Sequence, residues 1–287
     1  MEESVFDESR LPRASGKTTV FEAKSGWRFI DFHELWEYRD LFYFLVWRNI
    51  KVRYAQSVLG LGWAIVQPIF SMIVFTIVFG KLARIESDGI PYAIFSYTAL
   101  VPWTYFSNAL TQSGASLVSA SSMIGKVYFP RLMIPVSPAV DKLVDFGIAL
   151  LILFGMLFWF EIVPTMWSLA LPLLVLMMIL TAAGLGMWLT SLAIQYRDVN
   201  HGMRFGVQLL MYASPVVYPA SLVPDQFRLL YGLNPMAGVI EGFRAALIGM
   251  RPMPWDLIAV GFMAAVVISV SGAFYFRRTE RIFADVA

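Results

Sequence analysis

Long apolar runs separated by short polar breaks dominate the chain from about residue 59 onward. A hydrocarbon core of ~30 Å requires roughly 20 apolar residues to cross as a helix. Six runs approach or exceed that length: Leu59–Leu82, Pro91–Leu110, Pro138–Phe160, Met166–Ile194, Phe205–Leu222 and Trp255–Phe276. None alternates with the period of two expected of a membrane β-strand. Lipid cannot satisfy bare backbone groups, so each run is predicted to be a helix. The expected fold class is an all-α polytopic membrane protein with six transmembrane helices.

Two segments depart from this pattern. In "ELWEYRDLFYFLVWRNIKVRY" (Glu34–Tyr54), Leu35, Tyr38, Phe42 and Leu45 recur at helical spacing, while Glu34, Glu37, Asp40, Arg48 and Lys51 occupy other faces. Its longest apolar stretch, Leu41–Trp47, is too short to span. Region 27–56 therefore predicts an amphipathic interface helix, with rings in the acyl boundary and Arg48, Lys51 and Arg53 near anionic headgroups. A soluble helix packed on another domain is the alternative. The second segment, Val223–Pro254, is broken by Gly232 and by Asn234-Pro235, and each half is shorter than a membrane crossing. It predicts two short helices forming a re-entrant hairpin over 223–254 on the outer side, where irregular backbone must be enclosed by protein. Glu241 and Arg244, three residues apart, fall on one face of the second helix and are expected to offset each other's desolvation. An ordinary outer loop is the alternative here.

Composition agrees with lipid as the solvent: 58% of residues are hydrophobic and 15% charged, with a mean hydropathy of +0.66. Residues 1–26 are polar, lack the apolar core of a signal peptide, and read as a flexible cytoplasmic arm. Residues 57–287 form the transmembrane domain. Cysteine is absent, which excludes disulfide and thiolate chemistry, and His33 and His201 stand too far apart in sequence to suggest a metal site. The net charge of +2 selects no partner, and no nucleic acid is expected. One set of short loops holds Lys126, Arg131, Lys142, Arg197, Arg204, Arg277, Arg278 and Arg281, against Lys81, Arg84, Arg228, Arg244 and Arg251 on the other side. That bias places both termini in the cytoplasm.

No catalytic constellation is present. "ASGKTT" (Ala14–Thr19) looks like the end of a phosphate-binding loop, but Leu11 stands where the pattern requires glycine and no apolar strand precedes it. Asp141 and Asp145 share a helical face and are expected at a solvated helix start on the cytoplasmic rim. The centres of the six spans otherwise lack ionisable residues, which argues against an ion-coupled carrier. Aromatic density is the positive feature: Trp63 and Phe70 in the first span, Tyr97, Trp103, Tyr105 and Phe106 in the second, Tyr212 and Tyr218 around the Ser214-Pro215 break. Such rings serve either as interfacial anchors or as the wall of a channel for sugars, with ring faces on pyranose C–H groups and Tyr hydroxyls on sugar hydroxyls. Residue patterns alone leave both open.

"RYAQSVLGLGWAIVQP" (Arg53–Pro68) resembles the entry to the first span of ABC-2 type permeases that export O-antigen, capsule and wall teichoic acid. "GKVYFPRLMIP" (Gly125–Pro135), "YRDVNH" (Tyr196–His201) and "LNP" (Leu233–Pro235) match further landmarks of that family in the same order. The resemblance covers about residues 30–283. It implies a non-catalytic membrane subunit in the bacterial cytoplasmic membrane, paired with a second copy of itself. Two separate ATP-hydrolysing subunits would hold ATP and Mg, with no cofactor bound by this chain. Coupling to them would run through a helix within 121–137, with Lys126, Val127, Tyr128, Phe129, Pro130 and Arg131 as the contact. Pro130 restricts the backbone, Tyr128 and Phe129 are expected to fill a pocket on the ATPase, and Lys126 and Arg131 to meet acidic groups. A lipid-linked polysaccharide would pass an aromatic-lined channel. Arg48, Lys51 and Arg53 would then bind its phosphate headgroup or, equally, ordinary membrane lipids. An ABC-2 exporter of a small lipid or drug is the rival reading. A membrane-embedded glycosyltransferase or acyltransferase is disfavoured by the lack of Asp or His clusters.

Overall fold

The computed structural model describes residues 32–55, 62–120, 129–196, 198–249 and 251–280. Every element in them is helical. A short helix α1 (Phe32–Glu37) leads into α2 (Arg39–Ala55). Helix α3 (Gly62–Phe75) runs on as a wider π-helical segment, Thr76–Leu82. Then come α4 (Tyr92–Gly114), the single turn α5 (Ser116–Ser119), α6 (Met133–Asp141) and α7 (Leu143–Trp159). A 3₁₀ turn (Met166–Ala170) opens α8 (Leu171–Gln195), followed by α9 (Val199–Tyr212). Short helices α10 (Asp225–Gly232) and α11 (Pro235–Leu247) precede the last long helix, α12 (Trp255–Thr279).

Four of these helical segments are long and apolar enough to cross a membrane: Gly62–Leu82, Met133–Trp159, Met166–Gln195 and Trp255–Thr279. The other two expected spans differ for separate reasons. Helix α4 has the length, 23 residues, but its Ser, Thr, Tyr, Asn and Gln side chains make it too polar to face lipid. It forms the centre of the molecule instead: Ile94, Phe95, Tyr97 and Phe106 are almost wholly buried together with Leu153 and Leu157 of α7, Met177 and Met178 of α8, and Phe243 of α11. A helix enclosed by other helices needs no lipid-compatible face. The fifth run yields only the 14 residues of α9, about 21 Å at the α-helical rise, before the chain turns at Ser214-Pro215.

Backbone chemistry sets several boundaries. Pro138 lies inside α6, and the helix is interrupted at Lys142, so that α6 and α7 together make one broken span. Asn234 caps α11 by accepting from Met236 N at 3.1 Å, with Pro235 in the first helical position. Gly249 ends that helix at φ +76°, a conformation open to residues without Cβ. Close approach of α8 and α12 depends on Gly184, where a Cβ would lie 2.7 Å from Ser269 Cα. Ser269 Oγ donates to Leu180 O at 2.7 Å across the same contact, the small-residue packing usual between membrane helices. Trp188 and Tyr275 stack at 4.2 Å nearer the chain's C-terminal end.

Candidate functional site

Three clusters bring together the residues singled out by sequence. The first lies at the end of the bundle where α2, α6 and α12 meet. Phe129 is buried there with Leu45, Leu117, Leu132, Met133, Ile134, Met187 and Phe276. Its ring belongs to the chain's own core, so it is not free to fill a pocket on another subunit. Arg131 donates from Nη1 to Glu280 O at 3.0 Å, which ties the segment to the C-terminal end of α12. Pro130 is buried beside them. Lys126, Val127 and Tyr128 lie outside the described residues. The described part of the candidate coupling segment is thus a plug in the base of the bundle, in one buried cluster with Leu45 of α2 and Phe276 of α12.

The second cluster joins α2 to the broken span. Asn49 and Arg53 are one helical turn apart, as are Ser137, Asp141 and Asp145 in succession, so the two sets face each other as ridges. Asn49 Nδ2 donates to Asp141 Oδ2 at 3.1 Å and to Ser137 Oγ at 3.4 Å. Arg53 pairs with Asp141, and its Nη1 reaches Asp145 Oδ2 at 3.1 Å while Nη2 donates to Gln112 Oε1 at 3.3 Å. The Tyr54 hydroxyl donates to Asp145, which also receives Lys142 Nζ at 3.4 Å. The Asp141 side chain has 0% exposure, which corrects its expected place at a solvated helix start. An unpaired carboxylate there would be costly, and α2 supplies the compensating cation. Burial lowers the proton affinity of Arg53, but the Asp141 hydrogen bond and the charges of Asp141 and Asp145 outweigh it and raise its pKa. Burial, then the bond and charge of Asp145, push the Tyr54 phenol up to about 12. Arg53 is therefore committed inside the chain rather than offered to headgroups, whereas Arg48 and Lys51 remain exposed on α2.

The third cluster lies at the opposite end of the spans. Arg244 Nη1 donates to Glu241 Oε1 at 2.7 Å, Nη2 donates to Val216 O at 3.1 Å, and the guanidinium sits 3.6 Å from the Phe95 ring centroid. Glu241 Oε1 also accepts from Ala220 N at 3.2 Å. The pair, both nearly buried, fastens α11 to the turn after α9 and to the central helix.

The aromatic candidates divide by exposure. Tyr97, Trp103, Tyr105 and Phe106 are core residues. The Tyr97 and Tyr105 hydroxyls donate to Ala149 O at 3.3 Å and Ala139 O at 2.6 Å, so both phenol groups are engaged within the chain. Tyr218 is partly buried, donating to Tyr212 O at 3.0 Å. Trp63, Phe70 and Tyr212 are exposed at 54%, 65% and 52%.

A family model described as ABC-2 type transporter matches residues 40–248. The chain belongs to the ABC-2 type transporter family. This ABC-2 chain is 25% identical over 248 residues to the O-antigen export system permease protein RfbA of Klebsiella pneumoniae, covering 86% of this chain and 95% of that protein. It is 29% identical over 255 residues to the protein of the same name from Myxococcus xanthus, covering 86% and 96%. It is 21% identical over 239 residues to the polysialic acid transport protein KpsM of Escherichia coli, covering 81% and 91%. The match includes α2, both ion-pair clusters and the Phe129 plug. Asn49, Gln112 and Ser137 were not among the sequence candidates; the only sign of them was the i, i+4 spacing of Asn49 with Arg53 and of Ser137 with Asp141.

Proposed function

We propose that this multi-pass membrane protein is the permease subunit of an ATP-driven exporter of a lipid-linked polysaccharide across the bacterial cytoplasmic membrane, with both termini in the cytoplasm. The observation carrying this reading is similarity along almost the whole length of O-antigen export permeases, 95% and 96% of their chains. The chain's own chemistry supports an outside source of energy, since Leu11 interrupts the one phosphate-loop-like stretch. Two copies of the chain would flank the path, each docked on a separate ATPase subunit carrying ATP and Mg. Lys126, Val127 and Tyr128 would reach the ATPase, while Phe129, Pro130 and Arg131 anchor that contact in the bundle. A push on the segment would then bear on the buried cluster that it shares with α2 and α12. Helix α2 would lie at the membrane surface with Arg48 and Lys51 toward phosphate headgroups. The exposed rings Trp63, Phe70 and Tyr212 would face the glycan, and α10 with α11 would form the outer re-entrant hairpin. Affinity purification of the full chain in mild detergent tests the assembly. A stable complex with an ATPase subunit, active in ATP hydrolysis, is expected. Recovery of the permease alone under conditions where it stays folded would contradict it.

A further inference from the structure

A cavity of about 230 Å³ opens beside the Arg53 network, between the start of α3, the middle of α4 (Val101–Asn108) and the start of α7. The cavity thus reaches from the Arg53–Asp145 ion network toward the middle of the central helix. Three polar side chains line the cavity without a hydrogen-bond partner among the described residues: Gln67, Thr104 and Asn108. Trp63 contributes an exposed ring to the wall.

Two features define what fits. The cavity is smaller than the roughly 300–1,000 Å³ of pockets for drug-sized ligands, so it accepts a unit on the order of one ring. Its charges are already balanced: Arg53 and Lys142 are held against Asp141 and Asp145. An anionic group entering there would find no free cation and would meet the second charge of a carboxylate pair. A neutral polyhydroxylated ring meets what it needs. The amides of Gln67 and Asn108 both donate and accept, the Thr104 hydroxyl does the same, and the indole of Trp63 offers an apolar face to ring C–H groups.

We propose that this cavity is a monosaccharide subsite that seats one uncharged pyranose unit through Gln67, Thr104 and Asn108, with Trp63 as its stacking wall. The inference rests on the polysaccharide-export reading and adds to it a place where the polymer is read one sugar at a time. The ion network acts as the rigid back wall: Asp145 orients Tyr54 and Arg53, and neither is required to bind the sugar.

The test uses the full chain with its ATPase in lipid nanodiscs, observed by saturation-transfer NMR. The probes are the methyl pyranosides of glucose, galactose, mannose and N-acetylglucosamine, with inorganic phosphate as competitor. At least one pyranoside is expected to bind saturably and to resist displacement by phosphate. Loss of one hydrogen bond or of the stacking face is expected to weaken it about tenfold in Gln67→Leu, Asn108→Ala and Trp63→Ala. Thr104→Val, nearly isosteric, keeps the comparison valid should a larger truncation fail to fold. The proposal is overturned if no pyranoside saturates the wild-type complex, if all four variants bind as wild type does, or if phosphate displaces the sugar. Export is scored separately as surface glycan. Wild-type protein that restores glycan yet binds no pyranoside removes the subsite alone; protein that binds pyranoside but restores no glycan removes the export reading alone.

Discussion

Phe129 illustrates how a single side chain changes role between pattern and structure. An aromatic residue in a short cytoplasmic segment, next to Tyr128 and Pro130, reads as a gripping group. In the fold it is 4% exposed and lies in one buried cluster with Phe276 and Leu45. Truncating a buried Phe to Ala typically costs about 3–5 kcal/mol, because a cavity is left behind. Phe129→Ala is therefore expected to lower the melting temperature of the permease, whereas Phe129→Leu, which keeps most of the volume, should retain nearly all of it. A thermal unfolding series in detergent decides the point. Equal melting temperatures for the wild type and Phe129→Ala would show that the ring is not a core residue. Arg244 shows a related lesson with a different outcome. Its spacing from Glu241 suggested a pair, and the pair is formed, yet the contact with Phe95 depends on α4 passing behind it and has no signature in the local sequence.

At the scale of elements, the joint between α2 and the broken α6–α7 span is the most consequential. Asp141 is closed off from solvent, so removing its cation alone leaves a buried charge uncompensated. Such a loss costs about 3–5 kcal/mol, while replacing both partners by apolar residues of similar volume is often neutral or stabilising. Arg53→Met is expected to destabilise strongly, and Asp141→Leu combined with Arg53→Met to recover most of that loss. Chemical or thermal denaturation of the two variants forms the required cycle; additive losses in the double variant would contradict a direct pair. The helices themselves were legible, because a run of apolar residues near membrane length carries its own period and its own limits. The spans at 62–82, 133–159, 166–195 and 255–279 follow almost directly from those runs. Helix α4 was read as a span from its apolar length, and its enclosure by other helices depends on partners distant in sequence that the run itself does not show. The burial of Tyr97 and Tyr105, whose pattern left anchor and channel-wall roles open, has the same origin. The Arg53–Asp141 joint was illegible for another reason: its partners are 88 positions apart, and each residue has an ordinary surface role available to it.

On the scale of the whole molecule, the chain is organised around one polar-tinged helix, with an ion-paired joint and an aromatic plug at one end and the Glu241–Arg244 clasp at the other. Among the described residues, nearly all charged pairs lie at these ends, leaving the long outer faces of α3, α7 and α12 apolar. The central claim is ATP-driven export of a polysaccharide, and surface glycan in cells lacking this gene measures it most directly. The account predicts that the glycan disappears from the surface while its lipid-linked polymer accumulates inside, and that the wild-type gene restores it. Unchanged surface glycan in the deletion strain would contradict the account.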